Sequence, residues 1–257
     1  MIKCGCFGIK SEKNKCMMRI GVICIDYDYP PITGDVDCPD TFNHEMIYEK
    51  VNGLTFERAQ AGYWNDMIEL NMKIVLRRLE TSGCIGITGD CGFMMAYQIR
   101  IRRLTNLPVF MSSLLQAPIM ESMFQKEEQI MILTANAESL TKNLDHLLMN
   151  CGIIIKDINR FVVIGCDKLP AFKDVATGNK KIDYQAFSKE LIDHIMQCLS
   201  IHSNIKGFLL ECTELPAYGD LIRKQTNLPV FDAVTMINYY FTSMTNNKLF
   251  GVDQWYT

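Results

Sequence analysis

The sequence predicts an α/β protein of two pseudo-symmetric lobes, each a parallel sheet flanked by helices, with a functional cleft between them. The first observation is an internal repeat. A shift of 121 positions places Cys91 on Cys212, Ala96-Tyr97 on Ala217-Tyr218 and Arg102 on Arg223. It also places Thr105-Asn-Leu-Pro-Val-Phe110 on Thr226-Asn-Leu-Pro-Val-Phe231, six identities without a gap. Such self-similarity at a fixed offset marks a duplicated structural unit. The second observation is that short apolar runs alternate with helical patterns, the order of a parallel sheet with crossover helices. The third is that each copy carries an acidic residue and then a cysteine at the end of an apolar strand, Asp90-Cys91 and Glu211-Cys212.

Taken in order, residues 1–18 read as a polar, cysteine-bearing tail; Cys4, Cys6 and Cys16 lack a nearby fourth zinc ligand. Arg19-Ile-Gly-Val-Ile-Cys-Ile25 is a continuous apolar run, as a strand buried on both faces requires. Asp26-Tyr-Asp-Tyr-Pro-Pro31 must be a loop, because two prolines stop regular structure. With Asp35, Asp37 and Asp40 it is acidic but lacks the spacing of a calcium loop, so no metal is assigned. It reads as a solvated loop or as an active-site loop, since ligands of parallel sheets bind at strand carboxyl ends.

One helix is expected over about 56–80, with Ile68, Met72, Val75, Leu76 and Leu79 forming its apolar stripe and Gly83 its stop. A strand at 84–88, a helix at 93–104 and a strand at 107–111 complete the first unit. Residues 112–128 are the best linker candidate. The pattern then restarts with strands at 129–134, 160–165, 206–211 and 228–231 and helices near 138–149 and 183–202. Pro216 suits the first turn of a helix. A last helix over 235–249 is expected to return to the first lobe. The predicted division is a tail at 1–18, a first lobe of 19–115 plus 235–257 carrying Cys91, and a second lobe of 116–234 carrying Cys212.

Composition narrows the function. Hydrophobic residues make up 48% of 257 and charged residues 21%, with a net charge of −3. No basic stripe suggests a nucleic-acid partner. No apolar run approaches the ~18 residues of a membrane span, and the first residues lack the apolar core of a signal peptide. Eleven cysteines, an odd number, read as free thiols in a reducing compartment, so a cytoplasmic location is expected. No Gly-x-Gly-x-x-Gly or Walker sequence implies a nucleotide cofactor, and no Cys-x-x-Cys pair implies a thioredoxin-like site.

A cysteine between a strand and a helix lies near backbone N–H groups, where its pKa is expected to fall. Two such thiols facing each other across a cleft suit a base on one side of a small substrate and an acid on the other. That is the chemistry of proton transfer at carbon next to a carboxylate, with no cofactor. A redox-sensing Cys91–Cys212 disulfide is the alternative if the lobes close far enough.

The paired motifs resemble the aspartate/glutamate racemase superfamily and, within it, the Alma-type dimethylsulfoniopropionate (DMSP) lyases of marine algae. The matching stretches include Ile25-Asp-Tyr-Asp-Tyr-Pro-Pro31, Ile87-Thr-Gly-Asp-Cys-Gly-Phe-Met-Met95, Leu133-Thr-Ala-Asn136 and Glu211-Cys-Thr-Glu-Leu-Pro216. Together the matches run over roughly 20–255. The resemblance implies that one thiolate, of Cys91 or Cys212, removes a Cα proton from DMSP, so that dimethyl sulfide leaves and acrylate remains. The other cysteine would orient the substrate or buffer the proton. Backbone N–H groups at Gly92 and Thr213, with Thr134 and Asn136, would hold the carboxylate; turn and helix-cap roles are equally open for the last two. Asp26, Tyr27 or Glu214 would face the sulfonium, and Thr88 and Asp90 belong to the same candidate site. A racemase would use both thiols symmetrically, and a non-catalytic ligand-binding or redox-sensing protein on the same scaffold is the third reading. The resemblance also implies a homo-oligomer.

Overall fold

Two parallel four-stranded sheets with identical strand permutations form the frame of the molecule. The computed structural model describes residues 18–150, 152, 158–172 and 183–245. The first sheet contains β1 (Arg19–Cys24), β2 (Glu45–Lys50), β3 (Cys84–Gly89) and β4 (Val109–Phe110), in the order β2-β1-β3-β4. The second contains β5 (Gln129–Thr134), β6 (Phe161–Gly165), β7 (Ile205–Leu210) and β8 (Val230–Phe231), in the order β6-β5-β7-β8. Every pair is parallel, and the two sheets share an irregularity: the register slips at Arg19/Ile20 against β3 and at Gln129/Ile130 against β7. In each sheet the chain leaves the two central strands in opposite directions. That opens a crevice at their carboxyl ends, the usual ligand position in open α/β sheets.

The expected 56–80 helix is two helices, α1 (Phe56–Gln60) and α2 (Asp66–Thr81). Gly62 adopts a left-handed conformation (φ +59°) that ends the first, and the Asn65 side chain accepts the Ile68 N–H to start the second. The stripe of α2 is buried at all five expected positions, Ile68, Met72, Val75, Leu76 and Leu79. The segment expected as one helix over 93–104 is a 3-10 stretch, Gly92–Tyr97, followed by α3 (Gln98–Arg102).

Strand β2 is absent from the elements expected from sequence. Its sequence Glu-Met-Ile-Tyr-Glu-Lys carries charges because it is an edge strand, where a polar face guards against unwanted pairing. The 112–128 segment is packed rather than a loose linker. It forms a 3-10 turn, Ser113–Gln116, and α4 (Ala117–Met123). The Ser113 hydroxyl donates to the Leu210 carbonyl (2.7 Å), while Ala117 and Met120 are fully buried.

Helix α5 (Ala137–Asn150) buries Leu140, Leu144, Leu147 and Leu148 in the same cluster as Met94, Met95, Ile87 and Ile132, so one core runs from the first sheet to the second. Helix α6 (Tyr184–Ile201) covers the second sheet through Phe187, Leu191 and Ile195. After α7 (Gly219–Thr226), α8 (Ala233–Ser243) starts from an Asp232–Thr235 capping box and lays Met236 and Ile237 on Ile20, Val22 and Phe110 of the first sheet. No helix among the described residues is long and apolar enough to cross a membrane. The cysteine-bearing tail at 1–17, the polar 173–182 stretch and residues 246–257 lie outside the described residues.

Candidate active site

Strand β3 delivers Asp90, Cys91 and Gly92 to the crevice, and β7 delivers Glu211, Cys212 and Thr213. Both cysteines line one cavity and are 7% exposed. The two acids preceding them do parallel structural work. The Asp90 carboxylate accepts the Ile25 N–H with both oxygens (3.0 Å each). The Glu211 Oε2 accepts the Thr134 hydroxyl (2.7 Å). Cys24 occupies the position of Thr134 in the first lobe: its carbonyl takes the Val51 N–H as that of Thr134 takes the Cys166 N–H, and its sulfur lies within 4.8 Å of an Asp90 carboxylate oxygen.

The lobes touch at the cysteines themselves. The Thr213 hydroxyl donates to the Asp90 carbonyl. Glu211 lies so close to Gly92 that a Cβ there would sit 2.1 Å from the Glu211 carbonyl oxygen and 2.2 Å from Oε1. A glycine is therefore required at 92 for the second lobe to approach the first.

The segment after β1 crosses this cleft like a strap. Tyr27, Tyr29 and Asp37 line the cavity. The strap is held on the second lobe by the Val36 N–H on the Thr213 carbonyl (3.3 Å) and by the Tyr184 hydroxyl on the Pro30 carbonyl (3.2 Å). Gly34 (φ +105°) packs on Ala217, where a Cβ would come within 2.4 Å of the Ala217 Cα. Within the strap, the Tyr29 hydroxyl donates to Asp35 (2.6 Å).

Both thiols are held protonated, contrary to the expectation from their strand-to-helix position. Burial, then Glu211 and Asp90, pushes the Cys91 thiol well above its ordinary value. Burial, then Glu214 and Glu211, does the same to Cys212. The backbone N–H two residues on, of Phe93 for Cys91 and of Glu214 for Cys212, acts in the other direction and lowers each value. The turn after each cysteine is 3-10 and carries little dipole, so these single donors are outweighed by burial and by the carboxylates. The acids shift too. Burial raises Glu211 and Glu214 from 4.5 to about 7. Glu214 is the closest partner of a cysteine: the Cys212 thiol donates to its Oε2 at 3.0 Å. At the matching position in the first lobe, 121 residues earlier, stands Phe93.

Glu211 makes this visible in stability. Its folded pKa of about 7 exceeds the usual 4.5, so the folded protein binds the proton more firmly than the unfolded chain. The stabilisation is complete below about pH 4.5 and is lost as pH rises through about 7. Glu211→Gln, which imitates the protonated acid, is expected to remove about 3 kcal/mol of this pH dependence. Denaturant unfolding at pH 5 and pH 8 checks it: the wild-type loss of stability should exceed that of the variant.

Of the expected site residues, Cys91, Cys212, Tyr27, Asp90, Gly92, Thr213 and Glu214 line the cavity. Four do not. Thr88 donates its hydroxyl to the Phe110 carbonyl inside the first sheet (2.8 Å). Asp26 is exposed and accepts the Gly53 N–H (3.1 Å). Thr134 is committed to Glu211, and Asn136 caps α5 by accepting the Ser139 N–H (3.0 Å). Each of these polar groups sits at a strand end but is spent on local structure. Sequence reasoning missed Tyr29, Asp37, Phe56, Phe93, Phe172 and Glu211 as lining residues. Glu211 could have been found from its symmetry with Asp90, and Asp37 from the acidic loop. Nothing in the sequence singles out Phe172. Among the described residues, one group of donors lies close enough to share a cation: Cys24, Asp37 and Asp90, within 4.8 Å of one another. It offers three ligands, and both Asp90 oxygens are already bound to Ile25.

No protein-family model matches the chain. It is 41% identical over 241 residues to dimethylsulfoniopropionate lyase 3 of Emiliania huxleyi (strain CCMP1516), covering 92% of this chain and 62% of that one. It is 38% identical over 241 residues to dimethylsulfoniopropionate lyase 7 of the same strain, covering 92% and 70%. Among solved structures it resembles allantoin racemase from Klebsiella pneumoniae, with a TM-score of 0.55 and 14% identity, over 91% of this chain and 97% of that one. Two parallel lobes meeting at a pair of strand-end cysteines give the chain the two-lobed fold seen in the Asp/Glu racemases. The chain belongs to the family of the dimethylsulfoniopropionate lyases. It spans 62% of the length of lyase 3.

Proposed function

We propose that the chain is a cofactor-independent lyase that splits DMSP into dimethyl sulfide and acrylate, with Cys212 as the base. The observation that carries this reading is the 3.0 Å contact of the Cys212 thiol with Glu214 in a cavity that also holds Cys91. The names of the relatives, dimethylsulfoniopropionate lyases, supply the substrate.

Ionised Glu214 accepts the Cys212 proton, and the thiolate takes a proton from Cα of the substrate. The Cα–H electron pair becomes the C=C bond, and the Cβ–S bond breaks with its pair passing to sulfur. Neutral dimethyl sulfide and acrylate result, and the abstracted proton returns to solvent by way of Glu214. A sulfonium is a good leaving group, so the difficult step is the carbanion-like charge at Cα. Backbone N–H groups at Gly92 and Thr213 are the proposed stabilisers of the adjoining carboxylate. Cys91, with Phe93 where Cys212 has Glu214, lacks an equivalent proton acceptor, so its role is to orient the substrate. A racemase needs both thiols to act as base in turn, and this inequality disfavours that use.

The test is headspace dimethyl sulfide and NMR-detected acrylate from purified protein with DMSP. Turnover should rise with pH through about 7, because protonated Glu214 cannot take the thiol proton. Glu214→Gln should lower kcat about 100-fold and abolish that limb. Absence of dimethyl sulfide, or an unchanged pH profile in Glu214→Gln, would count against the reading.

A further inference from the structure

We infer that the aromatic lining of this cavity is a cage that selects substrates bearing a permanently alkylated cation, and that Tyr27, Tyr29 and Phe56 are its specificity-determining residues. This rests on the elimination reading above and adds the basis of its substrate choice.

The rings form a connected surface. Tyr27 and Tyr29 lie with centroids 5.6 Å apart and tilted by 31°, and Tyr27 and Phe56 lie 6.1 Å apart at 34°. Phe56 then meets Phe93, beside Cys91, edge-on at 6.5 Å. All four line the cavity, as does Phe172 from the second lobe. Charge supplies the second half of the argument. Asp37, Asp90, Glu211 and Glu214 line the same space, and no lysine, arginine or histidine is among its described lining residues. Lys50, whose charge reaches Asp37, is itself bound to Asp28 at 2.6 Å.

A pocket of aromatic faces backed by carboxyl groups has little to offer a neutral group. It attracts a cation through the ring quadrupoles and through the acids that are ionised, Glu214 among them above about pH 7. The type of cation is set by hydrogen bonding. A primary ammonium carries three N–H donors that aromatic faces leave unmatched, and burying them unmatched is costly. A sulfonium or quaternary ammonium has no donors, so rings in van der Waals contact with its methyl groups satisfy it fully. Two of the three named rings come from the strap. Its docking on Thr213 and Tyr184 therefore completes the cage only when both lobes are bridged.

The experiment measures binding of two unreactive isosteres of similar size by calorimetry and by inhibition of DMSP turnover. One is 3-(trimethylammonio)propionate, which keeps the cation; the other is 4,4-dimethylpentanoate, which replaces the charged centre by carbon. Wild-type protein should bind the cation about tenfold more tightly than the carbon isostere. Phe56→Leu and Tyr27→Leu should shrink that ratio to about two by weakening the cation alone. Tyr29→Phe, which keeps the ring and gives up the bond to Asp35, should retain it. Equal binding of the two isosteres by wild type would overturn the cage, as would equal losses for both in Phe56→Leu. Because calorimetry needs no turnover, a protein that binds the cation selectively yet releases no dimethyl sulfide would leave the cage standing and remove the lyase reading.

Discussion

Cys212→Ser is expected to lower DMSP turnover by about a thousandfold, while Cys91→Ser lowers it by about tenfold to a hundredfold. A positioned general base contributes on the order of 10²- to 10⁴-fold, and a serine hydroxyl cannot be ionised by a carboxylate whose own pKa is about 7. The substitution is conservative in structure, since a serine hydroxyl can still donate to Glu214 where the thiol does now. Loss of activity would therefore report chemistry rather than folding, and circular dichroism of both variants checks that point. The inequality between the two cysteines is the informative part. It arises from Glu214 beside one sulfur and Phe93 in the corresponding place beside the other. Rates of dimethyl sulfide release by the two variants, measured side by side, decide it; equal losses, or a greater loss in Cys91→Ser, would reverse the assignment of the base.

Gly92→Ala is expected to be the most damaging single-methyl change. The backbone at 92 is not in the left-handed region, so alanine would be conformationally acceptable there. The obstacle is Glu211, whose carbonyl oxygen would lie 2.1 Å from the new Cβ and whose Oε1 would lie 2.2 Å away. Trimming the Glu211 side chain relieves only the second contact, because the first is backbone. The lobes must separate, and the Thr213–Asp90 bond between them is strained or broken. Overpacking of this kind costs roughly 1–3 kcal/mol or more, equivalent to about 3–10 °C in Tm for a chain of this size. Turnover should fall at least tenfold as the two thiols move apart. Thermal unfolding followed by fluorescence checks the first effect and dimethyl sulfide release the second; a variant within about 1 °C of wild type would mean that the contact is not tight.

The fold is readable because duplication leaves a signal that periodicity alone does not. The six-residue match at 105–110 and 226–231 establishes which strand ends correspond, and with them the two cysteines. The elements that escape have local sequences governed by their place in the assembly. Glu45–Lys50 looks too charged for a buried sheet and is an edge strand. The 56–80 pattern hides a break whose cause is one left-handed glycine and one asparagine cap.

The site is legible in its cysteines and their immediate neighbours and much less so elsewhere. Thr134 and Asn136 have the right chemistry for a carboxylate, but their hydroxyl and amide oxygen are consumed by Glu211 and by the first turn of α5. The cage residues Tyr29, Phe56 and Phe172 come from three separate segments, and only folding brings them together. The thiol pKa values depart from expectation for a related reason. A strand-to-helix position suggests a lowered value, while the acids that reverse it include Glu211, which lies in the lobe opposite Cys91.

The most direct test of the central claim is incubation of the wild-type protein in heavy water with DMSP, aspartate and glutamate, followed by NMR. Acrylate and dimethyl sulfide are expected from DMSP, with no deuterium at Cα of either amino acid. Deuterium entering Cα of an amino acid, with DMSP left intact, would contradict that claim and make the two cysteines a racemase pair.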